Sequence, residues 1–326
     1  MIAGLLVAFA ALLSIVASPI LVGRPWVEER PGLGLFAWHM SAISILVSAA
    51  AGALVAAHDV WEPVAVRLLR ADPELVHHQY TGTSSANHGW NLVLLVVGGL
   101  SMRVGWSLVS QYRDRQRDAA LLRSGIGTIA LQSSGSSPGG VTFVDLEEAT
   151  AFCIPGRNAL IVVSQRAVST LTDRQLAAVV AHEREHLRAH HGLRLAFGQG
   201  LARAFPAWTF ARKYRDAVSL LHEMQADDAA AAATDRKTVV SAMLALSAPM
   251  SGARPAMAAG STAIRGRRLL ARRRQGAWAT WLAAVVTLGL AFIPAMIALV
   301  PGIGIANSAH STDIRSGFSA PQHPDH

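Results

Sequence analysis

Thr172-Asp173-Arg174-Gln175-Leu176-Ala177-Ala178-Val179-Val180-Ala181-His182-Glu183-Arg184-Glu185-His186 is the stretch on which the reading of this chain turns. Its first four residues form a capping box: the Thr172 hydroxyl can accept from the Gln175 backbone while the Gln175 side chain reaches back. The box announces a helix reaching about as far as His191, where Gly192 can terminate it. On that helix His182 and His186 stand four residues apart, so both imidazoles lie on one face and can share one Zn²⁺. Glu183, one residue beyond the first histidine, can act as general base toward a water activated there. A purely structural zinc site has no need of that base, so H-E-x-x-H points to hydrolysis rather than to scaffolding.

A third ligand has to come from elsewhere. The pattern that adds a histidine ten residues after the first fails, because that position is Gly192. His190 and His191 are close in sequence, but a third ligand from the same helix would crowd the metal. They are expected at a solvated or interfacial helix end. The better candidate is Glu223 in Leu221-His222-Glu223-Met224-Gln225-Ala226-Asp227-Asp228-Ala229-Ala230, a helix-prone stretch in which Glu223 and Asp227 share a face. One carboxylate can complete a His₂Glu set while the other accepts an N–H from a ligand histidine and fixes its tautomer.

Around this segment the composition is that of a membrane protein. Of 326 residues, 52% are hydrophobic and 15% charged, and the mean hydropathy is +0.33. Soluble domains carry about 25% charged residues. One cysteine excludes an internal disulfide framework, and the composition excludes disorder. The apolar surplus falls in four runs: Met1 to Val22, Leu33 to Ala57, Trp90 to Ser110 and Ala277 to Ile305, each long enough for a bilayer. The net charge of +8 is also local: Gln111 to Gln275 holds 23 of the 29 basic residues. That bias places this segment in the cytoplasm and the N-terminus, the 58–89 loop and the C-terminal tail outside. Arg103 can snorkel inward from the end of its span.

The expected organisation is a mainly α membrane protein with an α+β peptidase domain between the third and fourth spans. Three spans occupy 1–110, the cytoplasmic zinc domain 111–275, the fourth span 276–306 and a short tail 307–326. Within the domain, Ile126 to Leu131, Val141 to Val144 and Ala159 to Val163 read as strands, and Ser133 to Gly140 as a loop. Leu193 to Ala211 is apolar enough to lie at the membrane surface. Cys153 reads as a small buried apolar residue.

H-E-x-x-H at His182–His186 followed by E-x-x-A-D at Glu223–Asp227 resembles the gluzincin membrane peptidases, among them prenyl-protein proteases and HtpX-type quality-control enzymes. The resemblance implies Glu223 as third zinc ligand and Asp227 as support for the site. The arrangement is closer still to the BlaR/MecR-type antirepressor metallopeptidases, which place three spans before a cytoplasmic zinc domain and a fourth after it. In HtpX-type enzymes membrane spans separate the two motifs, whereas Leu187 to His222 is too short and too rich in Arg for a hairpin of spans. In the antirepressor family a strand like Ala151 to Gly156 helps hold substrate. Asn307 to His326 offers no penicillin-binding sensor and no Ser-x-x-Lys motif, so the chain resembles the short, sensorless members that act with a BlaI-like repressor.

Arg265 lies where related peptidases carry an Arg-Ile-x-x-Leu element, with Gly266 in place of Ile; it either supports the site or joins a juxtamembrane basic cluster. The expected function is therefore a zinc endopeptidase of a bacterial plasma membrane, with His182, His186 and Glu223 on the metal and Glu183 as base. It acts on a protein or peptide in regulatory proteolysis, either repressor cleavage or autoprocessing. Membrane quality control and a non-catalytic zinc-containing signalling protein are the alternatives. No direct nucleic-acid partner is expected, because no helix-turn-helix or finger pattern accompanies the basic charge.

Overall fold

In the computed structural model the Thr172 box forms as the sequence reads. The Gln175 N–H donates to Thr172 Oγ1 at 3.4 Å and the Thr172 N–H to Gln175 Oε1 at 2.8 Å. Such a cap stabilises a helix by about 1 kcal/mol and fixes where its register starts. The register of the motif histidines is set from that point.

The structure describes residues 2–56, 66–67, 87–130, 136–137, 140–156, 159–247 and 256–271, with isolated positions at 285, 289 and 293. Most of the fourth apolar run, the C-terminal tail and most of the 58–89 loop lie outside the described residues. Among the described residues the chain is mostly helical, with one small sheet. Helices α1 (Ile2–Leu21), α2 (Pro25–Glu29), α3 (Pro31–Ala56) and α4 (Asn87–Ala130) come first, then strands β1 (Ser136–Ser137), β2 (Val141–Val144), β3 (Ala151–Ile154) and β4 (Leu160–Ser164). Helices α5 (Gln165–Thr170), α6 (Asp173–Arg188), α7 (His191–Ala204), α8 (Thr209–Ala233), α9 (Arg236–Ser247) and α10 (Ala256–Leu270) follow. Two compact units result. One comprises Met1–Pro19, His39–Met102 and Ala283–His326; the other comprises Ile20–Trp38 and Arg103–Leu282.

In the first unit α1 and α3 touch through small residues. A Cβ at Gly52 would lie 3.0 Å from Val7 Cγ2 and 3.2 Å from the Ala3 carbonyl, closer than ordinary van der Waals contact, so glycine eases this approach. Leu6, Ala10 and Leu13 are buried, while Leu5, Leu12 and Ile15 are exposed. Among the described residues two helices, not the expected four, are long and apolar enough to cross a bilayer: Ile2–Leu21 and Pro31–Ala53. Trp90 to Ser110 is helical, but as part of the 44-residue α4, which runs on unbroken through the charged Gln111 to Arg123.

In the second unit the strand order is β1-β2-β4-β3, with β2 parallel to β4 and β3 antiparallel at the edge. One sheet face, with Val141, Ile161 and Val163, packs with Val179 and Val180 of α6 and Ala242 of α9. The other, with Val144, Ile154 and Val162, packs on Ala119 and Ile126 of α4. Ile126 to Ala130 is therefore the last turns of α4, not a strand. Short apolar runs are ambiguous by composition, and Ala119 and Ile126, two turns apart, lie on one helical face here. The 133–140 loop contains β1, whose Ser136 and Ser137 pair with Thr142 and Val141.

Helix α7 packs inward along one face and leaves Leu193 exposed on another. Ala196, Leu201 and Ala204 are buried, and the Gly200 carbonyl accepts from Ser107 at 2.8 Å. Arg103 donates from Nε to the Ala204 carbonyl at 2.6 Å, a cation at a helix C-terminus where the dipole favours it.

Candidate active site

Helix α6 carries His182, Glu183 and His186, and α8 lies across it with Glu223 and Asp227. Ala178 of α6 and Ala230 of α8 are buried in one apolar cluster with Val239 and Leu269. Small residues at that seam let the motif faces approach closely.

The two Nε2 atoms of His182 and His186 lie 3.1 Å apart. Glu223 Oε2 is 3.5 Å from His182 Nε2, and Oε1 is 3.5 Å from His186 Nε2. All three donors fall within 4.8 Å of one another and can hold a metal ion. Ligands about 2.0–2.1 Å from a tetrahedral zinc sit roughly 3.3 Å apart, so the spacing and the N, N, O donor set fit Zn²⁺. The outer contacts fit as well: His182 Nδ1 is 3.1 Å from Asp227 Oδ1, which leaves Nε2 facing the metal position.

Arg265, on α10, reaches both acids. Its Nε donates to Asp227 Oδ2 at 2.7 Å, its Nη2 to Oδ1 at 2.6 Å, and its Nη1 lies 2.9 Å from Glu223 Oε2. Of the two readings open from sequence, the structure places Arg265 at the site. The neighbouring Arg268 is engaged with Asp228 and the Met224 carbonyl.

Electrostatics separate the two histidines. Burial alone would lower His182, but hydrogen bonds to Asp227 and Glu223 outweigh it and raise the imidazole to about 9 in the metal-free protein. His186 is lowered to about 4, chiefly by burial, with Glu223 opposing and His182 adding to the shift. Glu223 falls to about 2, because the His182 hydrogen bond and the Arg265 charge overcome its burial. Burial raises Glu183 above the usual carboxylate range. The Cys153 thiol is pushed up to about 12, first by burial and then by the adjacent Glu183, to which it donates a hydrogen bond.

Two cavities flank the cluster. One of about 180 Å³ is lined by Ala151, Val179, His182, Glu183 and Met243. The other, about 460 Å³, lies between α4, β3 and the end of α6, with Tyr112, Leu122, Ile154, His186 and Leu193 in its walls. Edge strand β3 contributes Ala151 to the first and Cys153 and Ile154 to the second, so it runs past the site from one to the other.

Residues 117–265 match the model of Peptidase family M48. The matched segment runs from the charged half of α4 through both motif helices and ends on Arg265, so every residue of the cluster lies inside it. The match supports the M48 metallopeptidase family, whose members are zinc metalloproteases, and so supports a metalloprotease here. No curated protein and no solved structure matches the chain.

Three residues at the site escaped the sequence reading. Cys153 is partly buried as expected but touches Glu183. Helix α6 ends at Arg188, not near His191; the turn that follows brings His191 back, with Nδ1 2.8 Å from His186 Nδ1. His191 is 1% exposed, so it is no solvated helix end. Gln225 stands beside it, with Oε1 3.3 Å from His191 Nε2. The one sequence signal for His191 is its position five residues after His186, past a break in the helix.

Proposed function

We propose that the chain is an integral-membrane zinc endopeptidase whose active site is on the cytoplasmic side. The observation that carries the peptidase is the convergence of His182, His186 and Glu223 on one point, with Glu183 on the adjacent cleft wall. Zinc bound there would supply the positive charge that acidifies a water and polarises the scissile carbonyl. Glu183 takes the proton from the attacking water and passes it to the departing amine, and its burial-raised basicity suits both transfers. Asp227 and Arg265 keep His182 in the ligating tautomer and Glu223 ionised. An extended substrate can add to the free edge of β3, which would lay alternate side chains toward the two cavities.

Membrane attachment is supported by the two apolar N-terminal helices, and a cytoplasmic domain by the concentration of Arg in Gln111 to Gln275. Regulatory cleavage, of a BlaI-like repressor or of the chain itself, follows from the resemblance in the order of its segments. Purified protein should cleave a denatured polypeptide, stop on chelation and resume when zinc is restored. Comparing cleaved proteins in cells expressing the active enzyme then identifies the role. One repressor or self-cleavage fragment supports regulation, while broad loss of damaged membrane proteins would favour quality control.

A further inference from the structure

The geometry points to His191 and Gln225 as positioning residues that fix the tautomer of His186 through a two-bond chain from α8. This rests on the zinc-site reading above. His182 and His186 are both held from behind, but by different chemistry. Behind His182 stands the Asp227 carboxylate; behind His186 stands the buried His191 ring, Nδ1 to Nδ1 at 2.8 Å.

For His186 to present a lone pair from Nε2, its proton must sit on Nδ1, and His191 Nδ1 must then accept it. The His191 proton is thereby placed on Nε2, where Gln225 Oε1 accepts at 3.3 Å. Every donor in this sequence meets an acceptor. The opposite order, with the Gln225 amide donating to His191 Nε2, would make His191 Nδ1 a donor. It would then leave the His186 proton on Nε2, on the metal side. The direction in which Gln225 presents its amide therefore decides whether His186 can ligate.

His191 is held in this role by its surroundings. Its ring lies 4.2 Å, centroid to centroid, from that of His222 on α8 and meets the His186 ring edge-on at 4.8 Å and 81°. His190 adopts φ of 52°, the left-handed region that a non-glycine residue rarely occupies. That reversal between α6 and α7 turns the next side chain inward instead of along the α6 surface. Helix α8 thus supplies a ligand in Glu223, the partner of His182 in Asp227, and the far end of the His186 chain in Gln225.

The test uses the full chain in detergent, with zinc affinity read by chelator competition and the visible spectrum of bound Co²⁺ reporting ligand geometry. His191→Leu should weaken zinc binding 10- to 100-fold and alter the cobalt spectrum. His191→Asn retains an acceptor toward His186 at the position of Nδ1, without the reach to Gln225, and should recover part of the loss. Gln225→Leu should weaken binding several-fold, whereas Gln225→Glu, which can only accept, should bind zinc as tightly as wild type or more so. If His191→Leu fails to fold, the two Gln225 variants on the partly exposed rim decide the question. Wild-type affinity and spectrum in both leucine variants would overturn the chain, as would His191→Asn or Gln225→Glu losing as much as its leucine counterpart. Wild-type protein that takes up no metal would instead remove the zinc reading itself, and the chain with it.

Discussion

Arg265 grips Asp227 through two parallel bonds, Nε to Oδ2 at 2.7 Å and Nη2 to Oδ1 at 2.6 Å, although the two residues are 38 positions apart. Asp227 is fully buried, and the same carboxylate faces the Nδ1 of His182. Removing the guanidinium leaves that buried charge with the His182 imidazolium alone, and two carboxylate hydrogen bonds unmade. Arg265→Leu should therefore destabilise the metal-free domain by about 3–5 kcal/mol in urea unfolding. Arg265→Lys should restore little, since one ammonium cannot span both Asp227 oxygens and Glu223. Unchanged stability in Arg265→Leu would count against the pair as a structural element.

Metal binding should release one proton at neutral pH. His182, raised to about 9, is protonated there and must lose that proton to ligate, while His186 at about 4 is already neutral and Glu223 at about 2 already ionised. Affinity should rise about tenfold per pH unit between roughly pH 4 and 9 and then level off, because the competing proton leaves His182 as pH passes its raised value. Calorimetric titration of zinc in buffers of different ionisation enthalpy counts the protons. A count of zero at pH 7 would refute the protonation state given for His182.

The Cys153 thiol should resist alkylation. With its ionisation pushed up to about 12, only about one molecule in ten thousand is thiolate at pH 8, against about a quarter for an ordinary thiol. Glu183→Gln removes the neighbouring negative charge and should speed labelling by iodoacetamide, measured as mass increase against time. Labelling of the wild type at the rate of a free thiol would contradict the burial and the Glu183 contact together.

What could be read from the chain in advance was whatever rests on near neighbours. The Thr172–Gln175 box, the spacing of His182 and His186, and the shared face of Glu223 and Asp227 are all i, i+3 or i, i+4 relations, and the structure keeps each of them. His191 was out of reach because its inward turn depends on one left-handed residue, His190, and Gln225 because its partner lies on another helix. The strand expected at Ile126 failed for a related reason. Composition cannot distinguish a short apolar strand from the buried face of a helix end, and packing against Val144 and Val162 decided it. Arg265 had two readings until α10 was seen to lie beside Glu223 and Asp227.

Glu183 is the residue on which the proposed chemistry depends most directly. Wild type and Glu183→Gln should be purified with zinc content measured alongside cleavage of the same polypeptide. The substitution leaves the three ligand side chains in place, so both proteins should carry one zinc per chain. Cleavage by the variant should fall at least about 10²-fold, the scale of a lost general base. A zinc-loaded Glu183→Gln protein that cleaves as fast as wild type would contradict the mechanism.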